Sequence, residues 1–164
     1  MQFRTFIFTL AASVLWALPA TAKPLSDEAI ILQLERDIAG SNTTAAATAA
    51  WDPDVVLDDR LAAQPKIAQY VGLEAARKGW DPQFAAYTYS VETLGIKVKS
   101  DGKLGFAWST LRAKAVGKSG EPPIDVVFRQ ATLYEKKAGQ WKVVYINLSV
   151  PFDGATSKAV FDGR

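Results

Sequence analysis

Ile30, Ile31, Leu34 and Ile38 recur at the spacing of one helix face. Ser26 is placed to cap that helix, Asp27 and Glu28 fall in its first turn where the helix dipole favours negative charge, and Gly40 is placed to end it. Ser41-Asn42-Thr43-Thr44 opens an alanine-rich second helix, Ala45–Ala50, whose small side chains suit close packing. Trp51–Asp54 reads as a turn and Val55–Asp59 as a short strand. Arg60–Gln69 reads as a loop, and Val71–Trp80 as a third helix stopped before Asp81-Pro82.

From Tyr87 onward the period changes to two. Tyr87–Lys99 alternates, with Tyr89, Val91 and Thr93 on one side. Ser100-Asp101-Gly102-Lys103 is a hairpin turn, because Asp-Gly tolerates positive φ. Leu104–Ala115 alternates Leu, Phe, Trp, Thr, Arg against Gly, Ala, Ser, Leu, Ala. Lys118–Pro123 is a polar loop, Ile124–Glu135 a strand, Lys136–Gln140 a second hairpin turn and Trp141–Val150 the last strand. Helices followed by a long meander predict an α+β domain: N-terminal helices packed on a strongly curved, mostly antiparallel sheet, a cone with an internal cavity.

The last strand carries the strongest hint of a cavity. Trp141, Val143, Tyr145, Asn147 and Ser149 share one face in a regular strand, greasy at its start and polar at its end. The opposite face is aliphatic after Lys142. Tyr145 and Asn147 are neutral hydrogen-bonding groups suited to orienting a carbonyl or hydroxyl, so this face is expected to line a small-molecule cavity.

The first 22 residues read as a secretory signal: Arg4, the apolar run Phe6–Leu18, and Ala20-Thr21-Ala22 as a cleavage site before Lys23. Export to the periplasm or the exterior is the expectation, with residues 23–153 as one domain and 154–164 as a loose tail. The net charge is only +2, with no basic stripe and no basic run longer than Lys136-Lys137, which argues against nucleic acid as a partner. No segment other than the leader is long and apolar enough to hold the chain in a membrane. The chain has no Cys, hence no disulfides. It also has no His, which removes the commonest general base and metal ligand together; triads of the usual kind and zinc sites go with it. No metal and no cofactor are expected, and acid–base work would fall to Asp, Glu, Tyr or Lys.

Four segments, in order, resemble the nuclear-transport-factor-2-like or cystatin-like cone superfamily. They are Leu34–Ile38 with Ala39–Asn42, Trp51–Asp59, Tyr70–Trp80, and Phe128–Ala131 through Glu135–Trp141 to Ser149–Phe152. Within that superfamily the chain is most similar to SnoaL-like and ketosteroid-isomerase-like proteins. The resemblance implies a homodimer formed through the open face of the sheet. It also implies a catalytic base at the end of the first short strand, which here is Asp59. The first-helix tyrosine of those isomerases has no counterpart, since no tyrosine precedes Tyr70, and the imidazole positions before Ser149 read Tyr145 and Asn147.

Asp59 is therefore read either as a carboxyl that removes a proton α to a carbonyl or as a strand-end residue satisfying a turn. Arg129 either fixes an anionic group of a ligand or pairs with Asp59 or Glu92. Tyr70, Trp80, Phe84 and Trp108 are aromatic core residues of which some form the apolar wall of the pocket. The leading expectation is an exported protein that binds a small apolar or amphipathic molecule without turnover. An isomerase, cyclase or dehydratase using Asp59, and a dimeric assembly module, are the alternatives.

Overall fold

The computed structural model describes residues 24–59, 68–153 and 158–159. The expected leader 1–22, most of the expected loop 60–69 and most of the expected tail lie outside the described residues.

Helix α1, Asp27–Ala39, begins as the sequence implies: the Ser26 hydroxyl oxygen accepts from the Ala29 N–H at 3.2 Å. Helix α2, Thr44–Ala47, is shorter than expected and is capped by Thr43, whose side chain accepts from the Ala46 N–H. Strand β1 is Trp51–Asp59, so the expected turn at Trp51–Asp54 is extended chain. Strand β2, Ala68–Val71, pairs antiparallel with β1 and takes residues assigned above to a loop and a helix. Helix α3, Leu73–Ala86, runs through Pro82 instead of ending before it. Pro82 is exposed, so solvent reaches the carbonyl that loses its partner, and the turn beyond it places Gln83 and Phe84 on the domain interior.

Strands β3, Tyr87–Ser100, β4, Leu104–Gly117, β5, Ile124–Lys137, and β6, Gln140–Ser149, follow as an antiparallel meander. The sheet order is β2-β1-β6-β5-β4-β3, with β1 parallel to β6. Both hairpins use the expected turns. Asp101 Oδ1 accepts from the Lys103 and Leu104 amides, and Ala138 and Gly139 both take positive φ. A separate pair, β7 Phe152–Asp153 and β8 Lys158–Ala159, lies beyond the sheet in sequence.

Helix α1 packs on β3 and β4, and α3 on β1, so the helices cover one face of an open mixed sheet. On β4 that covered face carries Gly105, Ala107, Ser109, Leu111, Ala113 and Ala115, while Leu104, Phe106 and Trp108 point away from it. The small residues let the helix approach: a Cβ on Gly105 would overlap Ile31 Cδ1. Ile31 itself is fully buried beside Tyr134, Val143, Leu57 and Ile146.

Strand β6 does not keep one phase. Tyr134 pairs with Val143 but Leu133 pairs with Tyr145, so Val144 is an extra residue in the ladder. Such a bulge exchanges the two faces of everything beyond it. Trp141 and Val143 face the helices before the bulge; Ile146 and Leu148 do so after it.

Candidate functional site

Between the helices and the sheet lies a cavity of about 150 Å³. Its buried floor is Leu111 and Ala113 from β4, Val126, Phe128 and Gln130 from β5, and Leu148 from β6. The partly exposed Trp80, Gln83 and Phe84 of α3, with Tyr89 of β3, close the other side. The aromatic walls interlock: Trp51 meets Trp80 edge-on at 5.0 Å between ring centres, Trp80 meets Phe84 at 6.1 Å, and Phe84 meets Tyr89 at 5.6 Å.

Asp59 reaches this cavity from the end of β1 and is only 3% exposed. Trp80 Nε1 donates to its Oδ2 at 2.9 Å, fixing the indole against the carboxyl. The Tyr89 hydroxyl holds its proton more firmly than a free phenol, through burial first and then the proximity of Tyr87 and Asp59.

Two polar groups stand out on β5. Gln130, 7% exposed, borders the cavity, and its Nε2 donates to Glu35 Oε2 at 2.9 Å and to Thr132 Oγ1 at 3.2 Å. Glu35, on α1 and 4% exposed, also accepts from the Tyr134 hydroxyl at 2.7 Å, with the Thr132 hydroxyl beside it. Burial raises the pKa of Glu35 above the ordinary carboxylate value, against the pull of these three donors. Tyr134 is driven far up, by its burial and by the carboxyl beside it. Away from the cavity, Glu35 borders a second hollow of about 250 Å³ between α1 and β3, lined also by Arg36 and Thr93.

Of the site residues expected from the sequence, the structure brings Asp59, Trp80 and Phe84 together at the cavity. The other five lie elsewhere. Tyr145 and Asn147 follow the Val144 bulge and face away from the helices; the Tyr145 hydroxyl donates to Asp58 Oδ2 at 2.7 Å. Arg129 is exposed on that same outer face, opposite Ser149. Trp108, 39% exposed, stacks with Phe106 on the outer face at 5.4 Å. Tyr70 lies against the α3 backbone at Gly79, where any Cβ would collide with its ring.

Sequence reasoning missed Glu35 and Gln130, although each leaves a trace. Glu35 sits four residues after Ile31 and three before Ile38, a charge inside the apolar helical stripe. Gln130 stands in phase with Phe128 and Tyr134 on the buried face of β5.

Residues 37–153 match the SnoaL-like domain family. An NTF2-like protein of unknown function from Pseudomonas putida KT2440 is similar in structure, with a TM-score of 0.68 and 24% identity over 82% of this chain and 94% of its own. A protein provisionally named a ketosteroid isomerase, from Parabacteroides distasonis ATCC 8503, has a TM-score of 0.57 and 16% identity over 76% of this chain and 87% of its own. A protein of unknown function with a cystatin-like fold, from Nostoc punctiforme PCC 73102, has a TM-score of 0.59 and 14% identity over 76% of this chain and 91% of its own. At these identities the structural likenesses establish the fold. No curated protein matches the chain.

Proposed function

The chain belongs to the SnoaL-like domain family, and we propose that it binds a small, mainly apolar molecule in the cavity beneath α3. The observation that carries this reading is the cavity itself: about 150 Å³, walled by Trp80, Phe84, Tyr89 and Phe128, with Asp59 and Gln130 as its buried polar groups. Apolar cavities of that size admit a benzene-sized molecule. Titration with toluene, followed by calorimetry, tests the reading. Val126→Phe, which fills the floor, abolishes the heat of binding if the cavity is the site; unchanged binding by that variant places the ligand elsewhere.

A second reading, an isomerase-type enzyme, is favoured by one feature, the Asp59 carboxyl at the cavity wall. The same geometry speaks against it. Proton abstraction next to a carbonyl needs hydrogen-bond donors aimed at the developing oxyanion. Here Trp80 Nε1 is directed to Asp59, Gln130 Nε2 to Glu35 and Thr132, and the Tyr89 hydroxyl to Gln83 Oε1 at 3.4 Å. Binding without turnover is therefore the leading reading.

Export and self-association complete the proposal. The leader pattern of residues 1–22 supports secretion with Lys23 as the mature N-terminus, which N-terminal sequencing of protein recovered from its own cell envelope checks. The outer face of the sheet exposes Leu104, Phe106, Trp108 and Val116, which supports a homodimer closed across it.

A further inference from the structure

We propose that Gln130 is the specificity-determining residue of the cavity, and that it selects ligands carrying a hydrogen-bond donor, such as a phenolic hydroxyl, over otherwise equal ligands that only accept. The inference rests on the small-molecule reading above and deepens it.

A glutamine amide has one donating and one accepting end, and its orientation follows from its neighbours. With Glu35 ionised, the neighbours of Gln130 leave one choice. Its Nε2 faces the Glu35 carboxyl at 2.9 Å and the Thr132 hydroxyl oxygen at 3.2 Å. Thr132 Oγ1 accepts at the same nitrogen. Tyr134 donates to the other oxygen of Glu35 and leaves that carboxyl with acceptors on the Gln130 side. Turning the amide over would set its carbonyl against these oxygens. Both Nε2 protons are thus committed behind the cavity wall.

The carbonyl Oε1 takes no hydrogen bond from any described residue, while the residue is more than nine-tenths buried and borders the cavity. Oε1 is an acceptor open to the cavity and not sealed from it. A ligand that brings an O–H or N–H replaces the solvent hydrogen bond at this oxygen; one that brings a second acceptor displaces it without replacement. Glu35 does not touch the ligand. It is a positioning residue, because it fixes which end of the amide the cavity receives.

Phenol, its methyl ether anisole, and toluene separate the possibilities when titrated into the whole chain by ligand-observed NMR. Toluene reports the cavity alone. Phenol is expected to bind at least about fivefold more tightly than anisole, the scale of one net hydrogen bond. Gln130→Met is expected to erase that preference while keeping toluene binding. In Glu35→Gln the new side-chain amide needs an acceptor, which the Gln130 carbonyl supplies by turning over; the preference then reverses toward anisole, a change that a merely structural Glu35 would not produce. Should Glu35→Gln fail to fold, the wild-type ratio and Gln130→Met still decide. Toluene binding with anisole equal to or better than phenol in the wild type overturns the assignment of Gln130 and leaves the cavity reading intact. Binding of none of the three overturns both.

Discussion

The Tyr134 hydroxyl donates to Glu35 Oε1 across 2.7 Å, joining the fifth strand to the first helix through a carboxyl that is 4% exposed. The contact holds α1 at a fixed height over β5, and through Gln130 Nε2 it reaches the cavity floor.

Glu35→Ala removes the acceptor of the Tyr134 hydroxyl and one of the two acceptors of Gln130 Nε2. A stability loss on the order of 3 kcal/mol is expected from the unsatisfied groups and the space left behind, measured by urea unfolding. Glu35→Gln keeps the volume and much of the bonding, and is expected to lose far less. The two glutamate states also predict a pH effect. Because the folded state raises the pKa of Glu35, folding favours its protonated form. That contribution is complete below the ordinary glutamate value and is lost as pH rises through the higher folded value. The stability of the wild type relative to Glu35→Gln therefore falls with rising pH across that window. A pH-independent difference would contradict the assignment.

Gly105 and Ile31 meet where α1 crosses β4. Gly105→Ala is expected to cost about 1–3 kcal/mol by overpacking against Ile31 Cδ1. Ile31→Val removes that carbon, at a cost of about 1 kcal/mol on its own. Combined, the two are expected to be markedly less destabilising than their sum, as a double-mutant cycle of unfolding free energies reads directly.

Deleting Val144 removes the extra residue of β6. With Val143 and Tyr145 then consecutive opposite Tyr134 and Leu133, regular alternation keeps Tyr145 and Asn147 facing away from the helices and Ile146 and Leu148 facing them. The deletion variant is therefore expected to keep its cooperative thermal transition. Loss of that transition would contradict the assignment of Val144 as the extra residue.

Trp108→Glu places a charge in the exposed Phe106–Trp108 pair without touching the cavity. If the outer sheet face joins two copies, light scattering after gel filtration will show this variant as a monomer and the wild type as a dimer. A wild-type monomer would remove the dimer from the proposal.

Much of the architecture was legible in the chain. The Ser26 cap, the Asp101-Gly102 and Ala138-Gly139 turns and the alternation of β3 to β5 are local signals, and each is found where its chemistry places it. Helix α3 was misjudged at Pro82, because a proline on an exposed turn breaks only a hydrogen bond that water can replace. The site was harder to read. Alternation tells which residues share a face, but not which face meets the helices. On β4 the larger side chains, Phe106 and Trp108, suggest the wrong one, because close helix approach demands the glycine and alanine side. On β6 a single uncompensated residue, Val144, reverses the pattern midway, and nothing in the local composition marks it. Glu35 and Gln130 are distant in sequence, and only the fold brings them within 2.9 Å.

The most direct test is to saturate the protein with toluene and record intermolecular nuclear Overhauser effects. Cross-peaks from the toluene protons to Val126, Phe128, Leu148 and Trp80 are the predicted result, since those side chains enclose the cavity. Cross-peaks confined to Phe106 and Trp108, or none at saturating ligand, would contradict it.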